Sequence, residues 1–422
     1  MILRSPSRDS LRQFAVVGGV ASIAGLLFGR LIAPFDLIVF IDAGRAVLHG
    51  SNPYVTVSSP EFRSGHAFVY PLFVAWVFAP LALLPIHIAE RLFEVASIVA
   101  IAGGARLLGR RETLVPGLVI ASATTIVGLQ MGTINGLLVG GLGVSWHLRN
   151  RHPLLSGIFL GMIGSAKLFL LPLLAWPVLT CRKASTLSAV LTACATLGLS
   201  LAFSSLGPRS YLAMLSSLEH NETARSWSLA SLMIGAGLDV SVATKVAPLL
   251  VGAGLLAIWR QRRTLTDRQI LGVLILASLL LSPILWSSYL VLAEATLLVV
   301  DAPELFVAFA GLASWVLVTP DVASRERIAF GFVLSAMLLV AAAVRSKRTE
   351  HPGWLRAIVH PADLGPVAAL ALCVAALAAA GYALLPSRLS SPLPTVAFIT
   401  GVGLWTLRAP AGSGGRVAGH PA

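Results

Sequence analysis

Charge is scarce in this sequence, and acidic side chains are the scarcest kind. Charged residues make up 12% of the 422-residue chain, with 18 Asp and Glu against 31 Lys and Arg. Hydrophobic residues make up 56%, so a soluble domain of this length would have an apolar surface. The shortage of charge therefore excludes an ordinary soluble protein and indicates a chain that lies in a lipid bilayer.

Cysteine is also rare. The three cysteines, Cys181, Cys194 and Cys373, have no metal-ligand spacing, and in apolar segments such residues act as small hydrophobic side chains. The sequence has neither a cluster of acidic metal ligands nor a P-loop that would cradle a nucleotide phosphate. We therefore expect no metal and no other cofactor.

The excess of basic residues does not indicate a nucleic-acid-binding protein. The net charge is +13, but Lys and Arg lie in short clusters between apolar runs, for example at 106–111, 149–151 and 260–263. This pattern is typical of the cytoplasmic loops of membrane proteins. A nucleic-acid partner would instead require a continuous basic face, so we expect none.

Long apolar runs recur along the chain, and they predict an all-α polytopic membrane protein. Runs of about 17–25 residues cross a bilayer as helices, because only helices satisfy their own backbone groups in hydrocarbon. The apolar lengths predict about 12–13 spans, and the stretch 154–180, with Pro172 and Pro177, predicts a broken or re-entrant element. The predicted spans are 13–33, 67–84, 88–108, 114–130, 133–148, 185–206, 240–259, 268–285, 287–302, 304–320, 328–345, 364–385 and 393–407.

The basic residues also predict the orientation of the chain. Arg4, Arg8 and Arg12 precede the first span, so the N-terminus is expected in the cytoplasm and the loops 34–66 and 207–228 outside. We expect one transmembrane domain over 1–408 and a disordered tail over 409–422. One conflict remains, because three crossings would put the basic cluster 106–111 outside. Either one early segment does not cross fully, or this cluster breaks the rule.

The first external loop contains two of the rare acids, Asp36 and Asp42. Apolar residues between Leu37 and Leu48 predict an amphipathic helix at the membrane surface. Asp36 has three interpretations: a helix N-cap, an inert surface acid, or a general base. Asp42 fits the solvated face of the helix better, with a catalytic role as the weaker alternative.

Two polar residues fall among the apolar runs, Lys167 and Asn135. An ionisable group at membrane depth is costly and is a functional candidate by default. The alternative for Lys167 is that its ammonium reaches the membrane surface along its aliphatic stem. Asn135, in the turn that begins at Gly132, could line a cavity or cap a helix.

Other polar and aromatic residues are predicted at the same outer ends of the spans. An active site or a binding site facing outside would use them, although Trp and Tyr also form ordinary interfacial belts. These candidates are Tyr70, His220, Arg225, Ser226, Trp227, Trp286, Ser288 and Tyr289.

Six short motifs, in order, resemble a known family. They are DLIVFIDAGRAVLHGSNPY, FVYPLFVAWVFAPLALLP, GTIN, a Gly-rich run that ends in AK, SWSLASLM and LSPILWSSYLVL. This set resembles glycosyltransferase family 87, the polyprenol-phosphate-mannose-dependent α-mannosyltransferases of the GT-C superfamily, over about residues 12–300.

The resemblance implies a GT-C-like helical bundle, a polyprenyl-phosphate sugar donor, and a glycolipid or glycan acceptor outside the cell membrane. It also implies that Asp36, followed by Phe40 and by Ala43-Gly44, is the general base. The sequence departs from the family pattern at Thr133, where Gln is usual, at Leu72 after Tyr70-Pro71, and at Ser288, where His usually follows the Trp. The Pro after Lys167 also stands further away than usual, at Pro172.

The chemistry of such a transfer is consistent with a single carboxylate. One base takes the proton of the acceptor hydroxyl as it attacks the anomeric carbon, and the phosphate leaves without an acid. Lys167, Arg225 and Asn135 are the candidates that would stabilise the departing charge. The rival predictions are a secondary transporter or lipid flippase, which also uses broken helices, and a non-catalytic membrane subunit.

Overall fold

The chain was analysed as a computed structural model, which describes residues 34–109, 114–261, 264–302, isolated positions from 307 to 317, and 392–408. The predicted spans 13–33, 328–345 and 364–385 and the tail 409–422 lie outside the described residues, as does most of 304–320. All regular secondary structure in the described residues is helical. The predicted all-α class is confirmed.

Short helices and breaks dominate the first half of the described chain. Proline, glycine and serine residues punctuate it and stop helices from continuing. Its helices are α1 (Phe35–Leu48), α2 (Pro60–Arg63), α3 (Leu72–Ala82), α4 (Ile86–Leu107), α5 (Leu114–Ile120), α6 (Ala123–Met131), α7 (Asn135–Leu148) and α8 (Pro153–Ala166).

The second half contains longer helices. Its elements are a 3₁₀ segment (Leu168–Leu174), α9 (Ala175–Leu179), α10 (Lys183–Phe203), α11 (Pro208–Glu222), a 3₁₀ turn (Thr223–Arg225), α12 (Leu229–Gly235), α13 (Val240–Arg260), α14 (Asp267–Leu281), a second 3₁₀ turn (Ser287–Leu290), α15 (Val291–Val299) and α16 (Pro392–Arg408). Most of the predicted external loop 207–228 is helical. Proline is favoured at the first position of a helix, and α11 begins at Pro208, directly after its N-cap Gly207.

Within the described ranges, two helices are long and apolar enough to cross a membrane, α10 and α13. Two further pairs pass the same test only together, α3 with α4 and α6 with α7, and they are bent by 117° and 116°. The chain is thus an all-α membrane protein with broken spans, and the larger number of 12–13 crossings stays a prediction.

The stretch 154–180 is broken, as predicted. Helix α8 ends at Ala166, and Lys167 has an extended backbone with φ −130° and ψ 106°. The chain continues as the 3₁₀ segment, which contains Pro172, before α9 begins. The break frees backbone groups and places a polar side chain between two apolar segments.

Small residues allow the central helices to pack closely. A Cβ on Gly157 would collide with Ser188 and with the carbonyl of Ser185, and one on Gly161 would collide with the backbone of Ala189. Helices α8 and α10 therefore approach closely, as small residues four positions apart on a helix allow.

Helix α1 packs its apolar face on α3. Phe40 is fully buried and its ring stacks on Phe78, with centroids 4.5 Å apart. A Cβ on Gly44 would lie 3.1 Å from the backbone of Phe78, so Gly44 lets the two helices touch. The opposite face is open, with Ile38 38% and Leu48 46% exposed. A helix is present where the amphipathic helix was predicted, and it fixes where Asp36 lies; its place at the membrane surface stays a prediction.

Candidate active site

Asp36 lies in the first turn of α1 but does not cap it. The N-cap position is Pro34, and no side chain accepts a capping hydrogen bond there. The N-cap interpretation of Asp36 is therefore wrong, because the helix begins at Phe35, two residues earlier than that interpretation requires. An acid in the first turn is still favoured by the helix dipole. The carboxyl group is half-buried and remains available to the site.

The turn between α6 and α7 meets the start of α1. Gly132 ends α6 in the left-handed region at φ 71°, and a Cβ there would collide with Leu37. Both the positive φ and the close contact with Leu37 require glycine at this position. This contact brings the segment from Thr133 to Asn135 next to the turn of α1 that contains Asp36.

Lys167 is buried rather than directed to the membrane surface. Its side chain is 4% exposed, and its Nζ donates a hydrogen bond of 2.8 Å to Oδ1 of Asn135. The same Nζ lies 3.6 Å from the ring centroid of Tyr289. The interpretation in which Lys167 reaches the surface is wrong, since an amide oxygen and an aromatic face hold the ammonium inside.

Asn135 connects two distant parts of the chain. Its Nδ2 donates to the backbone oxygen of Ser288 at 3.0 Å and to the Ser288 hydroxyl at 3.2 Å. The N-cap of α7 is Ile134 and has no side-chain cap, so the capping interpretation of Asn135 is wrong. The amide group instead orients Lys167 on one side and the 3₁₀ turn at Ser288 on the other.

Aromatic rings form the wall of the site. Tyr289 stacks on Phe169, with centroids 5.3 Å apart and an interplanar angle of 14°. Tyr70 lies on the same ammonium, with its ring centroid 6.0 Å from Nζ of Lys167. Tyr70 in turn meets Phe40 of α1 edge to face at 4.9 Å. Tyr70, Lys167 and Tyr289, all candidates from the sequence, are thus brought together.

The electrostatics place Asp36 in the same site. Burial raises the pKa of the Asp36 carboxyl, while the charge of Lys167 and then that of His66 act to lower it. Burial has the larger effect, because withdrawal from water disfavours the charged carboxylate. A raised pKa makes this carboxylate a better proton acceptor than a solvated aspartate.

Ser226 and Trp227 connect two motifs. The backbone N–H of Trp227 donates to the oxygen of Leu285 at 2.8 Å, and the Ser226 hydroxyl lies 3.2 Å from the oxygen of Pro283. Trp227 is only 4% exposed. Protein contacts thus hold both residues, and they position the 282–290 segment.

The remaining predicted residues lie further out. Arg225 and His220 are exposed, and Trp286 is half-buried. Asp42 is on the exposed face of α1, where its Oδ1 accepts from Arg45 at 3.1 Å. The structure does not bring Arg225 to the Lys167–Asn135 pair, which leaves Lys167 as the cation at the centre of the site.

Sequence reasoning missed two neighbours of the site. The ring of His66 lies 5.0 Å from that of Phe35, and its charge acts on Asp36. Phe169 was also missed, although its spacing of two from Lys167 places both at the break after α8. Most of α1, all of α2 and the turns between them separate His66 from Asp36, so no sequence pattern indicates their proximity.

No group of three or more His, Cys, Asp or Glu side chains in the described part of the chain is arranged to hold a metal ion. The site consists instead of a carboxylate, an ammonium, an amide and tyrosine hydroxyls. These are groups that move a proton and stabilise an anion.

The fold and the site define a helical membrane protein with a polar cluster at a broken span. The model of glycosyltransferase family 87 matches residues 68–283, just over half of the 422 residues. The chain belongs to this family and is a glycosyltransferase. No curated protein and no solved structure matches the chain significantly.

The matched region contains Tyr70, Asn135 and Lys167. Asp36 precedes it and Tyr289 follows it, so the family match does not include them. Their membership in the site depends on the contacts described above, and the roles of all these residues stay predictions.

Proposed function

We propose that the protein transfers mannose from a polyprenyl-phosphate donor to a glycolipid or glycan acceptor at the outer face of the cell membrane. The observation that supports this most is that Asp36, the predicted base, shares one site with the buried Lys167–Asn135 pair. A base and an anion-stabilising cation are the two groups that transfer from a sugar phosphate requires.

In the proposed reaction, the acceptor oxygen attacks the anomeric carbon from the face opposite the phosphate. Its proton passes to the carboxylate of Asp36. The bond between the anomeric carbon and the phosphate oxygen breaks, and its electron pair leaves with the phosphate. One displacement from the opposite face inverts the configuration at the anomeric carbon, so no second carboxylate is needed.

Lys167 is the group proposed to stabilise the departing phosphate. An ammonium has three donors; among the described residues, one reaches Asn135 and the face of Tyr289 takes up another direction. A phosphate oxygen would take the remaining donor. Because the ammonium is buried, this interaction would be stronger than in water, and Asn135 would keep the ammonium from moving toward the product.

Helix lengths support an outward-facing site. Helix α3 has 11 residues, about 16 Å of helix against about 30 Å of hydrocarbon, and α4 bends away from it. If α3 stays on the outer side of the membrane without crossing, α4 is the second crossing and its C-terminal Arg106 lies in the cytoplasm. This arrangement would remove the conflict with the positive-inside rule.

The test is transfer by the purified protein in vesicles. Radiolabelled mannosyl phosphates of a polyprenol are incubated with membrane glycolipid, and the product is separated from the donor. We expect product with the unchanged protein, a loss of about 10²–10⁴-fold in the Asp36→Asn variant, and nearly full activity in the control Asp42→Asn. Equal activity of the Asp36→Asn variant would refute the base assignment, and substrate movement across vesicles without chemical change would indicate a transporter.

A further inference from the structure

An irregular segment, residues 66–71, leads into α3 and ends at Tyr70-Pro71. Tyr70 belongs to the wall of the candidate active site. Residues outside regular structure do not pair their backbone groups within a helix, and Pro71 has no N–H at all. Because backbone groups away from water need partners, the residues that supply those partners determine how firmly Tyr70 is held.

Two tyrosine hydroxyls take consecutive backbone oxygens of this segment. The hydroxyl of Tyr54 donates to the oxygen of Tyr70 at 2.9 Å, and that of Tyr211 on α11 donates to the oxygen of Val69 at 3.0 Å. Both tyrosines are buried, and their rings meet edge to face with centroids 5.8 Å apart. Tyr54 is itself fixed by a turn, since its N–H donates to Oδ1 of Asn52 at 3.0 Å.

A third contact holds the start of α3. The hydroxyl oxygen of Ser200, near the end of α10, accepts from the N–H of Phe73 at 3.0 Å. This N–H lies in the first turn of α3 and has no partner within the helix, and the N-cap Pro71 supplies no side-chain cap. Side chains from three separate parts of the chain therefore hold the backbone from Val69 to Phe73.

Tyr70 is thereby attached to α1 at two points. Its backbone oxygen binds Tyr54, in the turn that follows α1, and its ring meets Phe40 of α1 edge to face at 4.9 Å. Phe40 lies one helical turn after Asp36. On its other side, the ring centroid of Tyr70 is 6.0 Å from Nζ of Lys167. Tyr70 thus lies between the helix of the proposed base and the ammonium.

We infer that Tyr54 and Tyr211 are positioning residues for the sugar transfer. They fix the backbone of Tyr70, and through its ring they set the separation between α1, which carries Asp36, and Lys167. Both hydroxyl protons are used by backbone oxygens, so neither tyrosine is assigned to the substrate. The roles of Asp36 and Lys167 rest on the proposed function, whereas the placement of Tyr70 depends only on these contacts.

The first test removes each hydroxyl and keeps its ring. Initial rates of Tyr54→Phe and Tyr211→Phe are measured with a polyprenyl-phosphate mannose and membrane glycolipid. We expect kcat to fall about tenfold in each, because misplacing a reacting group by about 1 Å can cost about 10²-fold, while KM changes less than about twofold. The matched control is Ser185→Ala, which removes a 2.9 Å hydroxyl bond to the backbone oxygen of Pro153 near the start of α10 and should leave kcat unchanged.

A double-mutant cycle separates positioning from a general structural role. Tyr70→Ala removes the ring but keeps the backbone oxygen that Tyr54 binds. If Tyr54 acts through that ring, Tyr54→Phe should lower kcat less than about twofold in the Tyr70→Ala background, although it should still lower the melting temperature. A full tenfold loss in that background would overturn the inference, as would normal activity of Tyr70→Ala or of both phenylalanine variants.

Hydrogen–deuterium exchange tests the inference without any substrate. The exchange of the peptide 67–76 is followed by mass spectrometry in detergent. We expect about three- to tenfold faster exchange in Tyr54→Phe and Tyr211→Phe, as loss of one hydrogen bond allows, and no change in Ser185→Ala. Unchanged exchange in the two tyrosine variants would overturn the inference. Faster exchange in a protein that transfers no mannose even when unchanged would count against the proposed function alone.

Discussion

The ammonium of Lys167 lies 3.6 Å from the ring centroid of Tyr289 and donates to Asn135 at 2.8 Å. These contacts join the break after α8, the start of α7 and the 3₁₀ turn before α15. The three elements come from distant parts of the sequence, so the contacts of this ammonium also hold the fold together. Substitutions here test both chemistry and positioning.

Replacing Lys167 with methionine should abolish most transfer while leaving a folded protein. Methionine has a similar length and tolerates a buried position, but it cannot stabilise the leaving phosphate. We expect kcat to fall about 10²–10³-fold. Lys245→Met, at an exposed lysine of α13, is the matched control and should keep normal activity. A Lys167→Met enzyme with more than about a tenth of normal kcat, against the loss expected for such a donor, would contradict the assignment.

The acidic limb of the pH–rate profile should report the environment of Asp36. Burial raises the pKa of this carboxyl from its ordinary value of 3.8, and only the carboxylate can accept a proton. Activity should therefore fall as the pH drops through the raised value, at a higher pH than for a solvated aspartate. The measurement is kcat/KM between pH 4 and 9.

The charge of Lys167 provides the internal control for this profile. That charge lowers the pKa of Asp36. Without it, the residual activity of Lys167→Met should fall at a higher pH than the activity of the unchanged protein does. A limb that stays in place, or moves to lower pH, would show that another group titrates.

The Asp36→Asn variant should be more stable than the unchanged protein at neutral pH. The folded-state pKa of Asp36 is raised, so ionisation of this carboxyl is less favourable in the folded state than in the unfolded state. The resulting loss of stability is largest when the pH is above the raised pKa. Asparagine removes this cost, so the melting temperature at pH 7 should rise by about 2–4 °C and the gain should disappear at acid pH. Asp42→Asn, at an exposed position, should change the melting temperature little. A lower melting temperature for Asp36→Asn at pH 7 would indicate that Asp36 makes a stabilising contact.

Much of the fold could be predicted from the sequence because apolar length and punctuation are local. The break in 154–180 follows from its length and its two prolines, and the contact at Gly157 follows from small residues at helical spacing. The break between the spans 67–84 and 88–108 was predicted, but the length of α3 was not. The apolar run gives no sign that the helix has only 11 residues or that α4 turns away from it by 117°.

The site was predictable as a set of residues but not as a network. Lys167 stands out because an ammonium is rare among apolar residues, and Tyr70 and Tyr289 stand out by position. The partners were not predictable. Asn135 bonds Ser288, which is 153 residues away, and the local alternative of a helix cap was equally consistent with the sequence.

Gly132 should tolerate no side chain, and its replacement should affect the site through α1. In Gly132→Ala the residue must hold φ 71°, and its Cβ would collide with Leu37. We expect a loss of about 1–3 kcal/mol in stability together with a lower kcat, since Asp36 adjoins Leu37. Gly237→Ala, which also has positive φ but meets no atom within 4 Å, should lose stability while keeping kcat. Equal effects of the two variants on kcat would show that the turn does not position Asp36.

At the other end of the helices, Asp267 should be important for stability and not for chemistry. Its oxygens accept two hydrogen bonds of 2.9 Å from Arg182, one of 3.2 Å from Arg149 and one of 2.6 Å from the indole of Trp176. The carboxylate is 14% exposed, so Asp267→Asn leaves two guanidinium groups without their counter-charge. We expect a loss of about 3 kcal/mol, measured by denaturant unfolding in detergent, with KM and kcat unchanged at a temperature where the variant is folded. In a double-mutant cycle, Asp267→Asn should reduce stability much less when Arg182 is already methionine. The guanidinium charge that loses its counter-charge in the single variant is then absent. Additive losses would show that the ion pair contributes little and that Asp267 acts mainly through Trp176.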